Sequence, residues 1–157
     1  MKQFMVLFVI IGLSVLIACA GIQSGESETT TDAMQITPRH LKDIAGIEWH
    51  LKIMKIDTES IALIEDTKNT FSCDETGKVA GMASLNRYFG AFSLKEDGEI
   101  VWNKAFGMSR MAGPPELMEQ EARFMLALPQ TSRIYLKQDT LQLISADNST
   151  VLEFQKH

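Results

Sequence analysis

The chain predicts an α+β fold, mainly antiparallel β, in which a strongly curved or partly closed barrel-like sheet of about eight strands is covered by one helix at about residues 115–128. Three observations carry that prediction. Short stretches of alternating apolar and polar residues recur between Ile47 and Gln155, clusters of Gly, Asp and Asn punctuate them, and the hydrophobic period turns helical between Pro114 and Leu128. With 157 residues, 45% hydrophobic and 22% charged, the chain has the material for one core.

The first segment lies outside that core. Lys2 precedes an apolar run from Phe4 to Ile17, interrupted by Gly12 and Ser14. At ~1.5 Å per residue the run extends ~20 Å, short of a ~30 Å hydrocarbon layer, so it reads as the apolar region of a secretory leader. Leu16-Ile17-Ala18-Cys19 follows and resembles the lipobox of bacterial lipoproteins. Residues 1–18 are therefore expected to be a lipoprotein signal peptide, and residues 19–37 a lipidated cysteine with a flexible tether. The resemblance implies a thioether-linked diacylglycerol on Cys19, acyl chains such as palmitate, and a partner in the membrane of the cell envelope. Two or more acyl chains hold a protein stably where one does not. Ala20, in place of an aspartate, matches the pattern that permits transfer to the periplasmic face of the outer membrane in a Gram-negative cell. From Ala20 to Thr37 the chain is too polar to offset its ordering entropy, and about 18 such residues reach roughly 20–25 Å.

The folded domain is expected over residues 38–157. Thr37 and Pro38 suit the start of a short helical turn that Gly46 ends. Ile47, Trp49, Leu51 and Ile53 then alternate with Glu48, His50 and Lys52, the clearest strand pattern in the chain. Ser60 to Ile64, Thr70 to Cys73 and Val79 to Ala83 read as further strands, with a turn at Glu75-Thr76-Gly77-Lys78. The stretch from Gly81 to Gly90 crowds Gly, Asn and aromatic residues together, as a chain does at a tight corner between strands, and Ser109 to Gly113 echoes it. Ala91 to Lys95 and Glu99 to Trp102 flank an Asp97-Gly98 hairpin turn.

The helix follows. Pro114 and Pro115 open it, Glu116 and Glu119 complement the positive end of its dipole, and Pro129 stops it. Its buried face is expected to hold Leu117, Met118, Ala122, Phe124, Met125 and Leu128. Glu121 falls inside that apolar stripe, and a buried carboxylate needs a partner, so Glu121 is expected to meet Asn86, Arg87 and Ser109 where the helix covers the corner. Ile134 to Lys137, Leu141 to Ile144 and Val151 to Gln155 complete the strands.

Several of these segments, taken in order, resemble the META domain, the family of the bacterial heat-inducible lipoprotein HslJ. They are Trp49-His50-Leu51, Asn86-Arg87-Tyr88-Phe89-Gly90, Met111-Ala112, Glu121 with Phe124 and Leu128, and Leu141-Gln142-Leu143. The resemblance covers about residues 38–156. It implies a compact antiparallel β structure with one helix, an envelope location, and a role in stress or antibiotic tolerance that is not enzymatic. It marks Asn86, Tyr88, Gly90 and Glu121 as structural motif residues. Family members commonly carry cysteines where this chain has Leu85 and Gly113, so if those cysteines pair in relatives, both halves of the pair are lost here together.

Other chemistries are poorly served by these residues. Removing the leader takes Lys2 with it and leaves 14 Lys and Arg against 20 Asp and Glu, a net charge of −6, which disfavours nucleic acid as a partner. His40, His50 and His157 are dispersed, with neither zinc spacing nor a phosphate loop nearby, so neither metal nor cofactor is expected. Cys73, without an evident partner once Cys19 is lipidated, reads as a small hydrophobe on a strand, the other readings being a reactive thiol or an intermolecular disulfide. Met82, Tyr88, Phe89, Trp102, Phe106, Met108 and Met111 read as core filling, the other reading being a surface that re-packs around ligands. The expected function is thus a lipid-anchored, non-catalytic envelope protein that binds an envelope protein or supports structure. The alternative is a carrier or sensor enclosing a small apolar ligand in the curved sheet.

Overall fold

The computed structural model describes residues 33–157; the leader, Cys19 and the upstream tether lie outside the described residues. Eleven strands and one α-helix are present among them: β1 (Met34–Gln35), β2 (Trp49–Ile56), β3 (Glu59–Ile61), β4 (Lys68–Cys73), β5 (Lys78–Ser84), β6 (Asn86–Leu94), β7 (Ile100–Trp102), β8 (Gly107–Met108), α1 (Pro115–Ala127), β9 (Thr131–Lys137), β10 (Thr140–Ser145) and β11 (Val151–Lys156). Short 3-10 turns occupy Pro38–Asp43 and Leu128–Gln130. The antiparallel α+β prediction holds.

All strand pairings are antiparallel, in the order β1-β9-β10-β11-β2-β4-β5-β6-β7, with β3 beside β2 and β8 beside β6. This path is open. The strong curvature and partial barrel closure expected of the sheet are not confirmed: the backbone ladder stays open, and the contacts between its two ends are made by side chains. Trp102 at the β7 end donates its indole N–H to the Thr131 carbonyl of β9 at 2.8 Å. Arg133 and Gln35 both donate to the Asp97 carbonyl, at 2.8 and 2.7 Å. A carbonyl that accepts from an indole does not register a strand.

Alternation along the strands fills the inward side of the sheet, where Trp49, Phe71, Phe124 and Phe154 are fully buried. In β2 the alternation breaks. The register with β11 shifts between the Ile53–Glu153 and Leu51–Phe154 pairs, so Lys52 is the extra residue of a bulge; Ile53 faces solvent and Met54 enters the core. The fold also begins earlier than Pro38. Ile36 is fully buried and donates its N–H to the Ile134 carbonyl, so residues 34–37 belong to the domain rather than the tether. A two-residue strand offers too little alternation to be seen in a sequence.

The helix spans the expected residues, but its buried face is turned. Gln120, Glu121, Phe124 and Ala127 are buried, whereas Met118 and Ala122 are exposed. Polar residues occupy the buried face at its N-terminal half because they are hydrogen-bonded there.

Candidate functional site

The expected corner is a hairpin whose strands run almost to its tip. β5 ends at Ser84, whose φ of 55° turns the chain, and β6 begins two residues later at Asn86. The crowding of glycines and aromatics in this stretch has a steric cause. Gly81 pairs across the strands with Tyr88, and a Cβ on Gly81 would stand 2.1 Å from the Thr70 carbonyl oxygen and 2.8 Å from the Tyr88 ring. The bare glycine lets Tyr88 lie beneath it, fully buried, and donate its O–H to that same Thr70 oxygen at 2.8 Å. Burial holds the Tyr88 phenol well above the usual tyrosine range. The same device recurs at Gly90, covered by Phe106, and at Gly107, covered by Phe89.

Asn86 is the centre of the polar arrangement. Its backbone N–H donates to Glu121 Oε2 at 2.9 Å, and its Nδ2 donates to Glu121 Oε1 and to the Met111 carbonyl, each at 3.1 Å. Its Oδ1 accepts from the Ser109 hydroxyl and the Met111 N–H, each at 2.8 Å. One residue therefore binds the hairpin tip, the 109–111 segment and α1. Glu121, the carboxylate that seemed out of place in an apolar stripe, has both oxygens engaged.

Arg87 enters through its backbone alone. Its N–H donates to Ser109 Oγ at 3.1 Å and its carbonyl accepts from the Ser109 N–H at 3.0 Å, while the side chain is exposed. Asn86, Glu121 and Ser109 are thus brought together, Tyr88 lies on the inner side of the same strand, and Gly90 stands further along it.

Gln120 was not singled out by the sequence. Its Oε1 accepts the Ile64 N–H at 2.7 Å, and its Nε2 donates to Thr67 Oγ1 and Ser84 Oγ, both at 2.9 Å. Next to Glu121 on the helix it binds the β3–β4 connection as Glu121 binds the hairpin. Two adjacent polar residues at the edge of an apolar stripe were the available signal.

Leu85 and Gly113, where the resemblance leads us to expect cysteines in relatives, are neighbours. Leu85 lies on Gly113, where a Cβ would stand 2.7 Å from Leu85 Cδ2, so a large side chain fills the space that a small one leaves. Cys73 is free and buried, and burial first, with the nearby Asp74 charge second, pushes its thiol up to about 12. The methionine and aromatic group divides. Tyr88 is core and Trp102 and Phe106 pack against it, while Phe89, Met108 and Met111 face solvent.

Among the described residues no three His, Cys, Asp or Glu side chains are grouped to hold a metal ion, and no helix is long and apolar enough to cross a membrane.

Three solved structures share the fold. A protein from Burkholderia xenovorans is similar at 22% identity and a TM-score of 0.63, covering 79% of this chain and 90% of its own. A second protein solved by NMR is similar at 21% identity and a TM-score of 0.53, over 76% of this chain and 94% of that one. A DUF4847-family protein from Bacteroides vulgatus is similar at 11% identity and a TM-score of 0.52, over 71% and 93%. No curated protein matches the chain. The META domain matches residues 42–157, nearly the whole described unit, and the chain belongs to the META domain family.

Proposed function

We propose that this META-domain protein is held in the bacterial envelope by lipid on Cys19 and acts without catalysis, as a rigid binding or structural module serving envelope stress or antibiotic tolerance. One observation carries the non-catalytic part. The polar side chains gathered at Asn86 are committed to one another: Glu121 accepts through both oxygens, and Asn86 Oδ1 accepts from Ser109. An active site needs groups left free to engage a substrate. Support for anchoring comes from Leu16-Ile17-Ala18-Cys19 after the apolar leader. A carrier that encloses its ligand within the sheet is disfavoured, because Trp49, Phe71, Phe124 and Phe154 occupy the inward side.

Metabolic labelling with a palmitate analogue tests the anchor. The wild-type chain is expected to take up label and sediment with membranes, and Cys19→Ser to do neither; an unlabelled wild type refutes the anchor. The physiological part is tested by deletion. Loss of the gene is expected to lower survival under envelope stress, with rescue by the wild type and not by Cys19→Ser, and unchanged survival contradicts it.

A further inference from the structure

The outward side of β4, β5 and β6 carries a trough that none of the interactions at Asn86 uses. Two recesses of about 610 Å³ and 330 Å³ form it, and they adjoin along Glu48, Ser72, Ala80 and Phe89, which line both. Ser72 and Ala80 face outward and are too small to cover the sheet backbone, and Gly81 and Gly90 line the recesses through their backbones alone. Phe89, 60% exposed, borders both recesses while its ring lies against Gly107, and Met82 supplies an adaptable apolar surface towards the Arg87 end.

The charges around the trough are unequally committed. Glu48 Oε1 lies 3.1 Å from His50 Nε2. Asp74 Oδ1 accepts from the Thr76 hydroxyl at 2.7 Å and from the N–H groups of Thr76 and Lys78 at 2.8 and 3.0 Å. Among the described residues the two cations have no ion pair, although Lys78 lies near enough to Asp74 to act on its charge. Arg87 is the freer of the two. Ser109 fixes its backbone on both sides, while its guanidinium has no partner among the described residues. A solvated arginine needs none, but this one stands at the end of an apolar trough. Arg87 pairs with Met82, and Lys78 lies four residues further along β5, so the trough runs about 13 Å at ~3.3 Å per residue.

We propose that this trough binds a free, single-chain anionic amphiphile of the fatty-acid class, with its carboxylate on Arg87 and its acyl chain lying over Gly81 and Ala80 beside Phe89. A guanidinium takes a carboxylate in two parallel hydrogen bonds, and with the Lys78 charge at the far end set beside Asp74, the uncommitted Arg87 is the cation left to recognise a chain with one charged end. A single chain fits better than a bilayer surface. One carboxylate needs only Arg87, whereas a layer of anionic headgroups would also be brought against Glu48, Asp74 and a chain whose net charge is −5. The site goes beyond the anchoring reading and is tested without Cys19, so either can fail alone.

The experiment titrates residues 32–157, a compact unit that holds the whole described core, with sodium laurate below its micellar concentration. Dodecyltrimethylammonium, which has the same tail length and the opposite charge, is the control. Laurate is expected to bind one to one, at least about tenfold more tightly than the cation, and to shift the amide resonances of Ala80, Met82 and Gly90. Arg87→Gln should weaken laurate about five- to tenfold, and Ala80→Glu, on an exposed position, should abolish binding while leaving Tm within about 2 °C. Equal affinity for the two amphiphiles, shifts elsewhere on the domain, or wild-type binding by Ala80→Glu would overturn the proposal. So would association with anionic vesicles without laurate binding, or a dimer that Ala80→Glu dissociates and that leaves no site for laurate.

Discussion

Glu121 shows what a single buried carboxylate does when both its oxygens accept. In Glu121→Gln one of those oxygens becomes an NH2 that faces a donor, either the Asn86 N–H or its Nδ2. The expected loss is about 1–3 kcal/mol in urea unfolding, and an unchanged midpoint would show that the two bonds contribute nothing net. Asp147 behaves differently because it is exposed. The Ser145 hydroxyl, then the N–H and hydroxyl of Ser149, bring its carboxyl to about 2 from 3.8. The folded state therefore holds this proton less tightly than the unfolded one, so the stabilisation is complete above about pH 4 and disappears as pH falls towards 2. Thermal melts between pH 5 and pH 2 should show a shallower acid decline for Asp147→Asn, with Asp74 and Asp97, whose carboxyls are also lowered, retaining the rest of the slope. At this scale Glu121 was legible because a charge inside an apolar stripe requires a partner. Gln120 was not, since an uncharged amide on a helix makes no such demand.

At the scale of elements, the β5–β6 hairpin explains why its sequence looked like a corner. Glycines that make room for rings resemble turn glycines in one dimension, and only pairing shows that Gly81 faces Tyr88 and Gly107 faces Phe89. Strands with several alternating residues were legible. The two-residue strands β1 and β8 were not, because their sites are set by partners distant in sequence, Tyr135–Leu136 and Tyr88–Phe89. The helix was legible in length but not in rotation, since hydrogen bonds from Gln120 and Glu121 outweigh the apolar claim of Met118. The contact between Leu85 and Gly113 supplies the element-scale prediction. A chain carrying both Leu85→Cys and Gly113→Cys should form an intramolecular disulfide under oxidising conditions and gain ~3–4 kcal/mol over its own reduced form. Comparing one variant in two redox states removes the cost of losing the leucine. Identical oxidised and reduced melting curves would show that the two positions do not join.

For the whole molecule, the open strand path and the contacts across its ends act together. Trp102 on Thr131 and the paired donors on Asp97 bind β7 and its hairpin to β9 and β1, while Asn86 and Glu121 bind α1 to the β5–β6 hairpin. Composition and alternation told of one antiparallel core with one covering helix. Closure was not legible, because it depends on which group reaches one carbonyl, and that is settled by distances of a few ångströms between residues far apart in the chain. The central claim is that the polar residues of the META motif are committed to architecture and make the described domain open as one unit. Native-state hydrogen exchange tests it most directly, read at the Asn86 amide of the hairpin, the Phe124 amide of the helix and the Ile134 amide of β9. The account predicts opening free energies that agree within about 1 kcal/mol in the wild type, with the helix alone falling below the others in Glu121→Gln. Helix amides that already exchange through a separate opening several kcal/mol cheaper in the wild type would contradict it.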